Sequence, residues 1–288
     1  MMDEKRKRVL QFHPSSLILH PLIVTILGGV KLKSRFIIVC INILVCLVFV
    51  NISYAKIDLK TFIGAWLFDE GKGDTVQDWS GNGNDGKISG AKWTDGQFGK
   101  ALEFDGATSR IDIPDNDNLN GLNEVTILSW VYLRRAVTSG TWNSLAGKNP
   151  YPNGYLMWIE LPQEPCGLVY AGGARFDDRS GVSLDLKKWY HLAFTRNVKG
   201  EMKFYIDGVL AKVAASTAGP ISTIPGPLAI GGQSPQILDG FMDEVIMFNV
   251  ALTENDINAI MKNGLEKAND VSSAGKLATL WGKVKIQY

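Results

Sequence analysis

"KWYHLAFTRNVKGEMKFYIDGVL", Lys188–Leu210, decides the fold class. Trp189–Arg196 and Glu201–Ile206 are short runs rich in aromatic and β-branched side chains. Asp207-Gly208, inside "YIDGVL", supplies the positive φ values that a two-residue type I′ hairpin turn requires. The stretch therefore reads as strands joined by turns. Working outward, the same texture recurs at Phe62–Phe68, Ala101–Phe104, Ser109–Ile113, Val125–Leu133, Gly154–Leu161, Gly167–Tyr170, Pro227–Gly231 and Gly240–Val250, between clusters of Gly, Pro, Asn and Asp. Many short strands with almost no helical periodicity predict an all-β antiparallel sandwich or barrel.

One short helix is expected near the C-terminus. Thr253 can cap it, Asp256 stands at the capping-box distance, and Ile257, Ile260 and Met261 share a face. Gly264 is placed to end it. The linker-like "KANDVSSAGK" follows, and in the closing "KVKIQY" Val284, Ile286 and Tyr288 alternate as in a strand. The sequence has no internal repeat.

The first 55 residues have a different character. Lys31, Lys33 and Arg35 precede an uncharged run, Phe36–Val50, which ends in Ser53-Tyr54-Ala55. A basic segment, a short apolar segment and small residues at the end predict a secretory signal peptide cleaved after Ala55. The alternative is an uncleaved anchor, for which the apolar run is short against the roughly 20 residues that a span needs. Residues 1–30 fit no such leader, and a true start of translation near Val30 explains them.

Residues 1–55 hold seven basic and two acidic side chains, so the remainder is slightly acidic. That composition does not suit a nucleic-acid surface. Only Cys166 and His191 remain of their kinds, which excludes an internal disulfide and a His-rich zinc site.

Seven segments occur in register: "GAWLFDEGKGDTVQDWSGNGNDGKISG", "GKALEFDGATSRIDIP", "VTILSWVYL", "KWYHLAFTR", "MKFYIDGVL", "LAIGG" and "GFMDEVIMFNVALTENDI". Together they resemble the LamG-like jelly-roll domains of the concanavalin A-like lectin/glucanase superfamily, from Thr61 to about Gly264. The resemblance implies a two-sheet antiparallel jelly-roll sandwich, one sheet concave, with the first and last strands adjacent. It sets a domain at 56–264 and a tail at 265–288.

Gly81–Gly86, G-N-G-N-D-G, satisfies the dinucleotide fingerprint in letters only, since no helix follows. Asp78, Ser80, Asn82 and Gly83 match the opening of an EF-hand loop, but Ser89 stands where its bidentate glutamate would be. The turn is still dense in oxygen donors. Similar proteins often hold calcium between this loop and an aspartate near the last strand, which here is Asp243. The resemblance thus implies a structural calcium held between Asp78 and Asp243, with Asn84 or the carbonyls of Gly81–Gly83 as the remaining ligands. Strand alternation sets Asp243 on one face with Phe241, Val245 and Met247, where an ionised carboxylate needs a cation or several donors. The alternative is that both aspartates accept N–H bonds from the glycine turn.

The superfamily includes glucanases, so paired carboxylates must be sought. Glu103-Phe-Asp105 is followed by Gly-Ala-Thr, no E-x-D-x-x-E strand exists, and no G-x-S-x-G occurs. His191 reads as a satisfied strand histidine. Catalysis is not expected. The expected role is a carbohydrate-binding module, with aromatic faces and polar groups from "GTWNSLAGKNPYPNGYLMWIE" and "GGARFDDRSG" as its site. Trp142, Tyr151, Arg175 and Asp177 are the candidate ligand contacts, beside Tyr155, Trp158, Phe176 and Asp178; alternation buries about half of the aromatics. The expected partner is a glycan or cell-surface polysaccharide. Protein–protein adhesion and a structural role among envelope proteins are the alternatives, and fold does not decide between them.

Overall fold

The computed structural model describes residues 58–148, 152–233 and 236–270. The leader expected over 1–55, Tyr151, and the Val284–Tyr288 alternation lie outside the described residues. Two antiparallel eight-stranded sheets enclose one core, as the strand texture predicts. Across the first, the order is Val209–Ala215, Glu201–Ile206, Trp189–Arg196, Val125–Leu133, Asp239–Phe248, Lys100–Asp105 and Lys92–Asp95. Phe62–Trp66 also pairs with Asp239–Phe248, so the first and last strands are adjacent. Across the second, the order is Ala174–Arg179, Glu164–Ala171, Tyr155–Glu160, Trp142–Lys148, Leu228–Ile230, Arg110–Ile113, Gly86–Ser89 and Thr75–Val76.

The helix Glu254–Asp270 belongs to the first sheet, called here the helix-backed sheet. Its start is a reciprocal capping box: Thr253 Oγ1 accepts the Asp256 N–H, while Asp256 Oδ2 accepts from the Thr253 N–H and hydroxyl. Ile257, Ile260 and Leu265 pack with Phe62, Leu128, Ile246 and Phe248 on the outer side of that sheet. Each such burial stabilises by about 1.5–3 kcal/mol. Gly264 ends the first helical run, as expected, at φ 68° and ψ 168°, and a second run follows directly through Asp270. Leu265 is buried and donates its N–H to Glu244, so the domain runs past the expected boundary at 264.

A bulge in Asp239–Phe248 corrects one expectation. Its register against Val125–Leu133 slips between Asp243 and Ile246, and Glu244 has φ 51°. An extra residue in a strand inverts the alternation beyond it. Asp243 therefore follows Phe241 on the outer face, whereas Val245 and Met247 turn into the core between the sheets.

Two features tie the layers together. The Phe194 ring lies against Gly167 of the opposite sheet so closely that a Cβ there would fall 2.3 Å from Cδ2. Arg196 is fully buried, donating to the carbonyls of Asn123 at 2.7 Å, Gly219 at 2.6 Å and Thr217 at 2.5 Å. No helix among the described residues is long and apolar enough to cross a membrane.

Candidate functional site

The second sheet has no helix over it among the described residues, and its outer face carries a second apolar layer. Residues directly opposite on paired strands point to the same face. Trp142 opposes Glu160, Ser144 opposes Trp158, and Trp158 opposes Cys166. Leu156 opposes Leu168, which opposes Asp177, and Tyr170 opposes Arg175. These registers lay Leu156, Trp158, Cys166, Leu168 and Tyr170 into one apolar floor, distinct from the core between the sheets. Trp142, at 37% exposure, stands at its edge with ring surface to offer.

Charged side chains wall this floor as matched pairs. Arg175 Nε donates to Asp177 Oδ1 at 2.9 Å, and Arg179 pairs with Glu160. Glu160 Oε2 also accepts from the Trp158 indole N–H at 3.2 Å. Burial pushes the Cys166 thiol up, so it stays neutral, a small apolar part of the floor. Trp142, Leu156, Trp158, Glu160, Leu168 and Arg175 together line a cleft of about 160 Å³. Ligand pockets that engulf a small molecule run to about 300–1,000 Å³. A cleft this small suits one unit of a chain that lies across the sheet.

Trp142 and Arg175 thus meet in one cleft, with Asp177 holding Arg175 beside it. All three sit on strands, Trp142–Lys148 and Ala174–Arg179, which composition did not reveal. Tyr155 is core, its hydroxyl donating to the Leu119 carbonyl, and Phe176 packs against the core between the sheets. Glu160, Leu156 and Leu168 escaped the sequence reading. The period of two through Leu156, Trp158 and Glu160 is the signal that finds the first two.

The expected calcium ligands divide between two places. Asp78 accepts four hydrogen bonds: from the N–H groups of Ala65, Ser80 and Asn84 at 3.0, 2.9 and 3.0 Å, and from the Ser80 hydroxyl at 2.8 Å. Asn84 donates to the Ile63 carbonyl and Asn118, and accepts from Asn116. Gly81 and Gly83 take φ of 84° and 77°, the left-handed region that suits glycine. This is a saturated turn, followed by a strand at Gly86–Ser89. No hydrogen bond or ion pair joins Asp243 to it among the described residues. Asp243 is fully buried, Oδ2 accepts the Phe98 N–H at 2.8 Å, and Oδ1 has no hydrogen-bond partner. Burial, with Glu244 and Asp69 nearby, pushes its carboxyl up to about 8. Among the described residues no three His, Cys, Asp or Glu side chains converge as a metal cluster.

The residues inspected for catalysis are engaged otherwise. Glu103 pairs with Arg134, and Asp105 accepts the N–H groups of Ala107, Thr108 and Ser109. His191 corrects the expectation of a satisfied histidine: it is buried edge-to-face on Trp130 at 5.3 Å, neither ring nitrogen has a hydrogen-bond partner, and burial pushes its pKa down to about 3.

Residues 105–258, just over half of the chain, match the family described as the concanavalin A-like lectin/glucanases superfamily. The chain belongs to this superfamily. Several solved structures are similar to this concanavalin A-like domain in fold. One is the binding domain of Paraclostridial Mosquitocidal Protein 1, at TM-score 0.60 and 16% identity, covering 70% of this chain and 52% of that one. Another is domain 4 of AbnA, a GH43 extracellular arabinanase from Geobacillus stearothermophilus, solved in complex with arabinotriose, at TM-score 0.57 and 22% identity, covering 70% and 98%. A third is the receptor binding domain of botulinum neurotoxin mosaic serotype C/D, at TM-score 0.58 and 14% identity, covering 72% and 51%. The match spans about half the length of the two toxin domains. At these identities the likeness is one of fold. No curated protein matches the sequence.

Proposed function

We propose that this concanavalin A-like domain is a secreted, non-catalytic carbohydrate-binding module, with its ligand a sugar chain laid across the open sheet at Trp142. The observation that carries the reading is the convergence of Trp142, Arg175 and Glu160 over an apolar floor in one cleft. Sugars present apolar C–H faces and a belt of hydroxyls. The Trp142 ring stacks on the former. Arg175 donates to the latter, Glu160 accepts from them, and Asp177 holds Arg175 in place. Because these pairs are part-exposed, each hydrogen bond adds about 1 kcal/mol or less, and affinity is micromolar or weaker. The arabinanase domain solved with arabinotriose supports a sugar ligand, and the toxin domains support a surface partner more generally. A glycan array, run with and without calcium on wild type and Trp142→Ala, tests the reading. Retention by wild type and its loss in the variant are expected; equal retention by both removes Trp142 from the site.

A structural calcium completes the proposal, and Asp243 is the group that fits it. A fully buried carboxylate with one oxygen unpartnered is short of positive charge. The Gly96–Gly99 turn separates it from Asp69: a Cβ on Gly96 would meet Asp243 Oδ2 and one on Gly99 would meet Asp69 Oδ1. Asp243, Asp69 and main-chain carbonyls of this turn would hold the ion, which prefers such hard oxygens. Asp78 and Asn84 are instead engaged in hydrogen bonds to their own turn, to the strand Phe62–Trp66 and to Asn116 and Asn118.

A further inference from the structure

We infer that the helix-backed sheet carries a second sugar-binding platform, formed by Trp189, Tyr132 and Phe241. The helix covers only the part of that outer face around Leu128, Ile246 and Phe248. Beyond it, Trp189 and Phe241 both stand opposite Tyr132 on the flanking strands. The rings touch in pairs, with centroids 5.7 Å apart for Tyr132–Trp189, 5.1 Å for Tyr132–Phe241 and 6.3 Å for Trp189–Phe241. All three are part-buried, anchored on neighbouring strands of a rigid sheet.

The rim is polar and pre-set. Arg134 lies 5.7 Å from the centre of the Phe241 ring, and it pairs with Glu103, with Asp239 at 2.7 Å, and with the Phe104 carbonyl at 2.8 Å. Arg135 pairs with the second oxygen of Asp239 at 3.2 Å. Two cations meet two anions, so the rim is neutral in sum and complements an uncharged partner with many hydroxyls, not a polyanion or an acidic membrane. Size points the same way. An aromatic side chain buries about 150–250 Å², so three part-buried rings, each with no more than about a third of its surface free, offer at most about 200 Å². A stable protein partner needs about 800 Å² on each side. The patch fits one or two rings of a neutral glycan, and its composition repeats that of the opposite face: aromatic surface beside ion-paired Arg and acid. The module would then hold two sugar chains, one on each side of the sandwich.

Native electrophoresis through gels containing arabinan, xylan, mannan or mixed-linkage β-glucan tests this. Four proteins are compared: wild type, Trp142→Ala, Trp189→Leu with Tyr132→Leu, and all three changes together. Leucine keeps apolar packing while removing the flat faces, and thermal melts verify that each variant is folded. The expected result is that Trp142→Ala remains retarded by at least one polysaccharide and that the triple variant loses this residue of binding, roughly tenfold or more. Loss of all retardation in Trp142→Ala overturns the inference, as does a triple variant retarded like Trp142→Ala, or no retardation of wild type on any gel. If Trp142→Ala matches wild type while the helix-side pair abolishes binding, the open-sheet reading fails and this one stands.

Discussion

Asp243 Oδ2 accepts the N–H of Phe98, 145 residues earlier in the chain, while its Oδ1 faces no donor. The backbone N–H groups of Phe98 and Glu244 do not offset the burial of a full negative charge, and the carboxylates of Glu244 and Asp69 make the deficit larger. Millimolar calcium should therefore raise the melting temperature of the wild type over that in EDTA. Native-state binding at a hundredfold excess over Kd stabilises by about 2.7 kcal/mol. For a domain of this size that is about 5–10 °C. Asp243→Asn should abolish the calcium response, and Asp78→Asn should keep it while lowering the baseline. A wild-type melt indifferent to calcium would return Asp243 to the role of a protonated hydrogen-bonding acid.

Arg175 separates binding from folding. Its pair with Asp177 is about half exposed and contributes about 0–1 kcal/mol to stability. Arg175→Ala should leave the melt within a few degrees of wild type while weakening retention of the bound glycan by up to about fivefold. Unchanged retention with a lowered melt would make Arg175 a structural residue.

The acid limb of the stability curve should belong in part to His191. Its folded pKa, pushed down to about 3 by burial, lies below the ordinary value of 6.5. The unfolded chain therefore binds the proton first. Stability from the neutral ring is fully present above about pH 6.5 and is lost as pH falls toward 3, by up to several kcal/mol. Urea titrations at pH 7, 5.5 and 4.5 should show His191→Phe losing less stability than wild type. Parallel losses would mean that the ring is hydrated or partnered when charged.

Arg196→Met should cost about 3 kcal/mol or more, since it removes the guanidinium donors from the carbonyls of Asn123 and Gly219 and leaves that of Thr217 with the Ser216 hydroxyl alone. A fall of roughly 6–12 °C in melting temperature is expected. A smaller fall would show that water replaces the guanidinium.

Strands with inward aromatic or branched residues on alternate positions were legible in sequence, and Val125–Leu133, Trp189–Arg196 and Glu201–Ile206 begin and end where expected. Ala174–Arg179 was not, because its outer positions are Arg175, Asp177 and Arg179, a charged edge that reads as a loop. Gly86–Ser89 and Lys92–Asp95 are short and hide among turn residues. In the cleft, Trp142 and Arg175 drew notice as residue types, but Glu160 is a partner only through the register that sets it opposite Trp142. The bulge at Glu244 left no mark in composition either, and it alone decides that Val245 and Met247 part company with Asp243.

The thickness of the sandwich beneath the cleft is set by a missing methyl group. Gly167 lies between Cys166 and Leu168, both floor residues, and its bare backbone admits the Phe194 ring from the opposite layer. Phe194 in turn stands on the strand that begins with Trp189 and carries His191 outward. A side chain at 167 would push against that ring and lift the floor, so Gly167→Ala should disturb sugar retention on both sides at once although it touches neither ligand. The two faces are then mechanically joined, like opposite walls that share a single pin, and a load on one wall is felt as strain in the other.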